Sequence, residues 1–275
     1  MIMTKFDYLA PTSVEEAATA LAPAGARALS GGQGLLTAMK LGRTSPATLV
    51  DLGRIPELAG VRLQPDGGLR IGATTTLTDL ALALTDPTPG YAALFAAANA
   101  IADTQIRNRA TVGGSLADRY SPSDLAAALL VLAGRVHVAG RTGRRIVSLT
   151  DFYTPDGPVL TGSEFIVAVE VPAPEDDLRT AYVRMTDRAT LSPVVGVAVA
   201  ITGARARIAV TGATAWPRRI PEAEAGVGAR PGHPVDDVGP DSRFRDDDVA
   251  SAAYRAHLTR VIAGRALARA GARDA

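Results

Sequence analysis

The 275-residue sequence contains no cysteine. Without thiols the chain cannot form a disulfide, use a cysteine nucleophile, or bind zinc or an iron–sulfur cluster through cysteine. Its three histidines, His137, His233 and His257, are far apart and match no local metal-binding spacing. His137 lies in the alternating run RVHVAG and is interpreted as a residue on a strand face. Redox chemistry on this chain would therefore need an organic cofactor.

Long apolar runs and an excess of charge of one sign are also missing. The formal net charge is +1, and no run of five Lys or Arg residues occurs, which argues against a nucleic-acid partner. The N-terminal MIMTKFDYLAPTSVEE reaches acidic residues before any apolar run, so no signal peptide is expected. The apolar stretch 125–133 is too short to span a bilayer. We expect a cytoplasmic protein that binds neither nucleic acid nor membrane.

The patterns that are present predict an α+β fold in two domains, as the length suggests. A strand ARALS, a helix LLTAMKLG and a strand ATLVDL form a β-α-β unit, and VRLQPDGGLRIGA forms a hairpin. Pro172 ends a predicted strand and marks the domain boundary. The first domain is thus 1–172, with subdomains of about 1–56 and 57–172. The second, 173–275, is expected to contain an antiparallel strand pair and a long C-terminal helix with Val249 on its apolar face.

Two glycine-rich turns carry the functional signal. The first runs from Ser30 to Leu35, and the second from Thr111 to Ser115; each is predicted to connect a strand to a helix. Glycines let the backbone approach a ligand closely, and the free N–H groups at a helix start bind anions. We interpret the amides of 31–35 and 111–115 as converging on one diphosphate. Asp124, at a predicted helix start, can accept hydrogen bonds from ribose hydroxyls.

A Rossmann dinucleotide site is the rival interpretation of the first turn. Gly32 and Gly34 after a strand, followed by Asp51 at the end of the next strand, imitate that fingerprint. Against it, Thr37 occupies the third glycine position and Gly42 ends the helix early. A P-loop is excluded because the sequence has no GxxxxGK[ST] motif.

These motifs resemble the FAD-binding medium subunit of the molybdenum hydroxylases, a family that includes the flavin subunit of aerobic carbon monoxide dehydrogenase and the flavin domain of xanthine dehydrogenase. The resemblance runs through LSGGQGLLTAMKLG, IADTQIRNRATVGGSLA and the C-terminal FRDDDVASAAYRAHL. It implies a two-subdomain FAD-binding fold of the PCMH/vanillyl-alcohol-oxidase type, followed by a small α+β domain. It also implies electron transfer from the [2Fe–2S] clusters of a small subunit, in a complex with a molybdenum-cofactor large subunit, to NAD, a quinone or oxygen.

Carried over position by position, the resemblance implies cofactor-binding residues and no metal ligands. Those positions are Ser30, Gly31, Gly32, Gln33, Gly34, Leu35, Ala110, Thr111, Gly113, Gly114, Ser115, Asp118, Asp124, Ile166 and Arg184. Arg184 falls where a family lysine approaches the flavin. No side chain has the pattern of a general acid, base or nucleophile, and Tyr120 and Arg184 are the candidates for a catalytic role.

Several positions depart from the family pattern. Gly34 replaces a usual serine, Ala110 replaces a usual glycine, and Ser192 stands where an aromatic residue is expected. The segment 118–122 replaces a His/Asn-Ala-Asp-Pro-Ala stretch. These departures leave two alternatives open. One is a stand-alone FAD-dependent oxidoreductase, for example in secondary metabolism, with a small-molecule substrate and a homo-oligomeric state. The other is a flavin-free binding or scaffold protein.

Overall fold

The structure is a computed structural model that describes residues 4–120, 123–227 and 235–271. Its helices are α1 (Val14–Ala20), α2 (Gln33–Lys40), α3 (Leu77–Ala83), α4 (Ala92–Ala100), α5 (Thr104–Arg107), α6 (Val112–Ala117), α7 (Asp124–Val131), α8 (Leu149–Phe152), α9 (Pro221–Val227) and α10 (Ala252–Gly271). Its strands are β1 (Asp7–Leu9), β2 (Ala26–Leu29), β3 (Thr48–Asp51), β4 (Val61–Leu63), β5 (Leu69–Gly72), β6 (Arg135–Gly140), β7 (Gly143–Ser148), β8 (Tyr153–Thr154), β9 (Gly157–Pro158), β10 (Phe165–Val171), β11 (Arg179–Thr186), β12 (Pro193–Thr202), β13 (Arg205–Thr211) and β14 (Arg218–Arg219). The mixture of helices and mainly antiparallel sheets confirms the predicted α+β class.

The described chain divides into two compact units whose segments alternate along the sequence. Unit 1 contains the described residues of Met1–Ala83, Asp103–Ser121 and Gly134–Val171, and unit 2 contains those of Leu84–Ala102, Pro122–Ala133 and Pro172–Ala275. The last change of unit falls at the predicted boundary, Pro172, whereas two earlier segments also belong to unit 2. The division into domains 1–172 and 173–275 stays a prediction. His233 and the segment Ser121-Pro122 lie outside the described residues.

Unit 1 contains a parallel three-stranded sheet in the order β1-β3-β2. The predicted β-α-β unit is present as β2, α2 and β3, with β2 and β3 parallel. Helix α1 begins after Ser13, whose hydroxyl accepts a hydrogen bond from the Glu16 N–H at 3.1 Å. The face of α1 that includes Val14 and Ala17 is buried in one apolar cluster with Val50 of β3. Burial of that face holds this short helix in place, because isolated helices of its length are unstable.

The second sheet of unit 1 has five antiparallel strands in the order β4-β5-β10-β6-β7. Both flanking pairs, β4–β5 and β6–β7, are hairpins, the first at VRLQPDGGLRIGA as predicted and the second at RVHVAGRTGRRIVSL, where the sequence alternates in the same way. His137 lies on β6, with Nε2 2.9 Å from Oε2 of Glu170 on β10. This cross-strand contact confirms the interpretation of His137 as a strand-face residue.

Unit 2 is built on an antiparallel sheet in the order β11-β12-β13-β14. Every residue of β12 from Pro193 to Ile201 is buried, so both faces of this strand are covered. Helices α7 and α10 both contact β12, and α4 contacts β11. The predicted antiparallel pair, β12 with β13, and the long C-terminal helix are both confirmed.

The start of the C-terminal helix differs from the prediction. Helix α10 begins at Ala252, and Val249 lies before it with 57% of its surface exposed. The placement of Val249 on the apolar helix face was therefore wrong. The Asp247 carboxylate explains the difference, because its Oδ1 accepts the N–H groups of Val249 at 3.0 Å and Ala250 at 3.1 Å. Aspartate bonded to the backbone just after it favours a turn over a helix.

Candidate functional site

The first glycine turn presents a row of unpaired backbone donors at the start of α2. Gly32 has a left-handed backbone (φ 77°) and forms the N-cap of this helix. No group in the described ranges accepts a hydrogen bond from the N–H groups of Gly31 through Leu35. Such donors, together with the helix dipole, make a site for an anion. The prediction of free amides in this turn therefore matches the geometry.

The second glycine segment lies directly against the first. Gly31 packs on the backbone before Thr111, since a Cβ on Gly31 would lie 1.9 Å from the carbonyl oxygen of Arg109. The hydroxyl oxygens of Ser30 and Thr111 are 3.0 Å apart. Two segments that are distant in sequence thus meet through a contact that only glycine permits. The structure brings together the two turns that the sequence singled out.

The amides of the second segment do not behave as predicted. Its glycines lie inside α6, and no strand precedes them. The N–H of Val112 bonds to the Thr75 carbonyl at 3.0 Å, and that of Gly113 bonds to the Ala73 carbonyl at 2.8 Å. The N–H groups of Gly114 and Ser115 bond to the side chain and the carbonyl of Thr111. The expectation that these four amides face an anion was wrong, because two of them bond to the segment that follows β5 and two bond to Thr111 at the start of α6.

The glycines of α6 are explained by packing instead. A Cβ on Gly113 would lie 2.7 Å from the Cβ of Ala73, and one on Gly114 would lie 2.9 Å from the Thr111 hydroxyl. Ala110, immediately before this segment, is buried and accepts the N–H of Leu77. The second segment is therefore closely packed and hydrogen-bonded within unit 1, and it lies beside the first turn.

The residues after α6 continue past the first turn. Asp118 places its carboxylate against Gly34, where a Cβ would lie 2.5 Å from Oδ2. The Arg119 guanidinium donates to the carbonyls of Asp156 at 3.0 Å and Pro158 at 3.2 Å. Tyr120 is 46% exposed and its N–H donates to Asp118 Oδ1. Asp118 is thus an ionisable side chain in contact with the first turn, and Tyr120 is largely exposed to solvent.

Two further predicted positions meet in unit 2, where Asp124 is 3% exposed at the start of α7. Arg184 donates from Nη1 to both carboxylate oxygens of Asp124, at 3.2 Å each, and the Tyr182 hydroxyl also donates to Asp124. Burial raises the pKa of Asp124, while the Arg184 charge and the Tyr182 hydrogen bond oppose the rise. Burial also raises the pKa of Tyr182, helped by the Asp124 charge. We name Asp124, Tyr182 and Arg184 the Asp124 triad.

Tyr182 was not predicted from the sequence. A usable signal existed, because residues two apart on a strand share a face, and Tyr182 precedes Arg184 by two. The Tyr182 hydroxyl also packs closely against Gly196 on the neighbouring strand, where a Cβ would lie 2.1 Å from it. That contact joins residues distant in sequence and has no local sequence signal. Ile166, the last predicted position, is 4% exposed on β10 in unit 1. The predicted set thus divides, with Asp124 and Arg184 in unit 2 and the others in unit 1.

Replacing Arg184 with alanine is expected to lower the free energy of unfolding by about 2 kcal/mol at neutral pH, because a buried carboxylate loses its cation. Denaturant unfolding measures this, with Arg188→Ala, on the exposed part of the same hairpin, as the control. Loss of the cation raises the folded-state pKa of Asp124 further, so the folded variant holds a proton more tightly than the unfolded chain. Acidification from pH 8 toward pH 5 should then reduce the difference in free energy of unfolding between the variant and the parent protein. A difference that widens on acidification would contradict the triad assignment.

Within 4–120, 123–227 and 235–271, no cluster of three His, Asp or Glu side chains could hold a metal ion. The same ranges contain no helix with the length and apolarity needed to cross a bilayer.

Comparison with known proteins identifies what this arrangement resembles. Residues 4–174 match the family model described as the FAD binding domain in molybdopterin dehydrogenase. The chain is 34% identical to the carbon monoxide dehydrogenase medium chain of Hydrogenophaga pseudoflava, covering 77% of this chain and 76% of the relative. It is 31% identical to the nicotine 6-hydroxylase medium subunit of Paenarthrobacter nicotinovorans, covering 97% of each.

Solved structures agree with the sequence matches. A chain of reconstituted CO dehydrogenase from Oligotropha carboxidovorans superposes with a TM-score of 0.88 and 29% identity, covering all of both chains. This likeness confirms the PCMH-type FAD-binding fold expected from the resemblance. The chain belongs to the family of FAD-binding domains of molybdopterin dehydrogenases, the flavoprotein subunits of molybdenum hydroxylases, and it is an oxidoreductase subunit whose cofactor is FAD.

Proposed function

We propose that this chain is the electron-transfer subunit of a molybdenum hydroxylase-type dehydrogenase. It would accept electrons from the [2Fe–2S] clusters of a partner small subunit and pass them to an external acceptor. Bound FAD supplies the redox chemistry. The absence of cysteine supports the proposal that FAD and the iron–sulfur clusters are bound by different subunits, because this chain cannot ligate a cluster through cysteine.

The unpaired N–H groups of Gly31 through Leu35 are the observation that carries the cofactor site. They fit one diphosphate, because these donors follow one another at a helix start and none of them is used by the described chain. In the second segment, the N–H of Thr111 and the hydroxyl of Ser115 have no partner among the described residues. We therefore assign diphosphate binding mainly to the first turn.

The roles of the remaining predicted positions follow from their contacts. Arg184 and Tyr182 occupy the buried Asp124 carboxylate, which supports a structural role for the triad within unit 2, and a hydrogen bond from a cofactor hydroxyl to Asp124 stays a prediction. Ile166 would contribute apolar surface. Binding of FAD is proposed for domain 1–172, and 173–275 is proposed as a C-terminal flavoprotein domain.

We further propose that the substrate is selected outside this chain, by the molybdenum-cofactor large subunit. Relatives of similar identity carry the names of different complexes, one a carbon monoxide dehydrogenase and the other a nicotine 6-hydroxylase. The occurrence of related medium subunits in complexes with such different names supports selection of the substrate elsewhere in the complex. The cytoplasmic location expected from the sequence stays a prediction.

The test is purification of the chain from its own host through an affinity tag. We expect a yellow protein that releases about one FAD per chain and co-purifies with a cysteine-rich iron–sulfur protein and a molybdenum-containing subunit. The isolated chain should oxidise no small molecule, although its flavin should be reduced by the chemically reduced partner. Turnover of a small molecule by the isolated chain would establish a stand-alone oxidoreductase instead. A colourless protein that stays colourless with added FAD would indicate a scaffold.

A further inference from the structure

We infer that the Asp118 carboxylate limits how tightly this chain holds FAD, and that residue 34 is glycine in order to accommodate that carboxylate. The inference rests on the proposal that the N–H groups of Gly31 through Leu35 bind the diphosphate. It assigns Asp118 a role opposite to that of a cofactor ligand.

The contact between Asp118 and Gly34 is steric. A Cβ on Gly34 would lie 2.5 Å from Oδ2, 2.8 Å from Cγ and 2.9 Å from Oδ1 of Asp118. The carboxylate thus fills the volume where any other side chain at position 34 would begin. Gly34 does not have a left-handed backbone, so the main chain there would accept other residues. The carboxylate is therefore the reason for glycine at this position.

The carboxylate is also held in place locally. Asp118 follows α6 as its C-cap, and its Oδ1 accepts the N–H of Tyr120 at 2.9 Å. This bond forms the kind of turn in which an aspartate binds the backbone two residues later. An asparagine can make the same bond through its carbonyl oxygen, which allows charge and shape to be tested separately.

The electrostatic consequence follows from where the carboxylate lies. A negative charge is favoured at the first turn of α2 by the helix dipole and the unpaired N–H groups. The diphosphate of FAD has the same sign of charge and needs the same turn. Repulsion between two like charges at one partly solvated helix start is expected to weaken FAD binding about tenfold. Two departures from the family pattern, at 34 and 118, are then explained by one contact.

The charge is tested with Asp118→Asn in FAD-stripped protein, with the dissociation constant for FAD measured by flavin fluorescence. We expect it to fall about tenfold at about 50 mM salt, and the gain to shrink at about 0.5 M salt. Asp66→Asn is the matched control, because Asp66 likewise accepts a turn N–H, that of Gly68 at 2.9 Å, in the β4–β5 hairpin. An unchanged or larger dissociation constant in Asp118→Asn overturns the inference.

A wrong role for Asp118 can be distinguished from a wrong assignment of the diphosphate site to residues 31–35. If residues 31–35 do not bind FAD, a variant that moves that turn, such as Gly31→Ala, leaves affinity unchanged. If they do bind FAD and only the role of Asp118 is wrong, Gly31→Ala weakens binding while Asp118→Asn does not strengthen it.

The steric part is tested by a double-mutant cycle in the absence of FAD. Gly34→Ser should lower Tm by about 5 °C, since its Cβ meets the carboxylate. In the Asp118→Ala background the same serine should cost almost nothing. Equal losses of Tm in both backgrounds would show that the Asp118 carboxylate is not the reason for glycine at position 34, whatever the outcome of the affinity measurement.

Discussion

Replacing Gly31 with alanine is expected to weaken FAD binding at least about a hundredfold. The alanine Cβ would lie 1.9 Å from the oxygen and 2.8 Å from the carbon of the Arg109 carbonyl, and 3.1 Å from Cα of Ala110. These are main-chain atoms, so no rotamer change relieves the clash and the turn has to move away from its neighbour. Displacing two N–H groups from a charged diphosphate costs about 3 kcal/mol, which is about a hundredfold in affinity.

The measurement is an FAD titration of the stripped protein, with circular dichroism to establish that the variant is folded. Gly162→Ala is the matched control in unit 1, because nothing lies within 4 Å of its Cβ and its backbone is not left-handed. We expect the control to bind FAD as the parent does. If a folded Gly31→Ala also binds FAD within threefold of the parent, the amides of 31–35 do not hold the cofactor.

Replacing Arg255 with alanine is expected to lower the free energy of unfolding by about 4 kcal/mol. This guanidinium is 2% exposed and donates to the carbonyls of Val194 at 2.7 Å and Gly212 at 2.9 Å. A further bond, of 2.6 Å, joins it to the Asp247 carboxylate. The alanine variant removes this donor from both carbonyls and from that of Ala250, at 3.4 Å, and it leaves Asp247 with its backbone bonds but without the Arg255 charge. Arg255→Lys should recover only part of the lost free energy of unfolding, because one ammonium group cannot donate in all the directions of the planar guanidinium.

Denaturant unfolding measures the effect, with Arg265→Ala as the control because Arg265 is exposed on the same helix. Burial raises the pKa of Asp247, but the Arg255 bond and two backbone N–H groups outweigh it and lower that pKa overall. A lowered folded-state pKa stabilises the protein above about pH 4, and this contribution is lost as the pH falls further. The difference between the parent and Arg255→Ala should therefore shrink in acid. A loss within about 0.5 kcal/mol of that in the control would contradict the structural role given to Arg255.

The first glycine turn could be predicted from sequence because its signal is contiguous. A strand, a glycine pair and a helix follow one another within 26–40, and the free N–H groups are a local property of the helix start. The hairpins and the antiparallel pair of unit 2 were predicted for the same reason, since turn residues and alternation lie within each segment.

The second glycine segment was misinterpreted because its acceptors are distant in sequence. The carbonyls of Ala73 and Thr75 take the N–H groups of Gly113 and Val112, and no local pattern in 107–115 encodes them. The contact of Asp118 with Gly34 joins two segments in the same way. The sequence indicated which residues of this region are important. Their hydrogen-bonding partners could not be predicted, because they come from distant segments brought together by the tertiary structure.

The alternation of the two units along the chain has a consequence for synthesis on the ribosome. Helices α4 and α7 emerge long before β11 and β12, the strands on which they pack. Unit 2 therefore cannot complete its core until β12 and α10 have been made, and until then α4 and α7, which contact each other, lack the sheet on which they pack. Unit 1 has every one of its segments once Val171 has been added, so the order of translation favours its completion first.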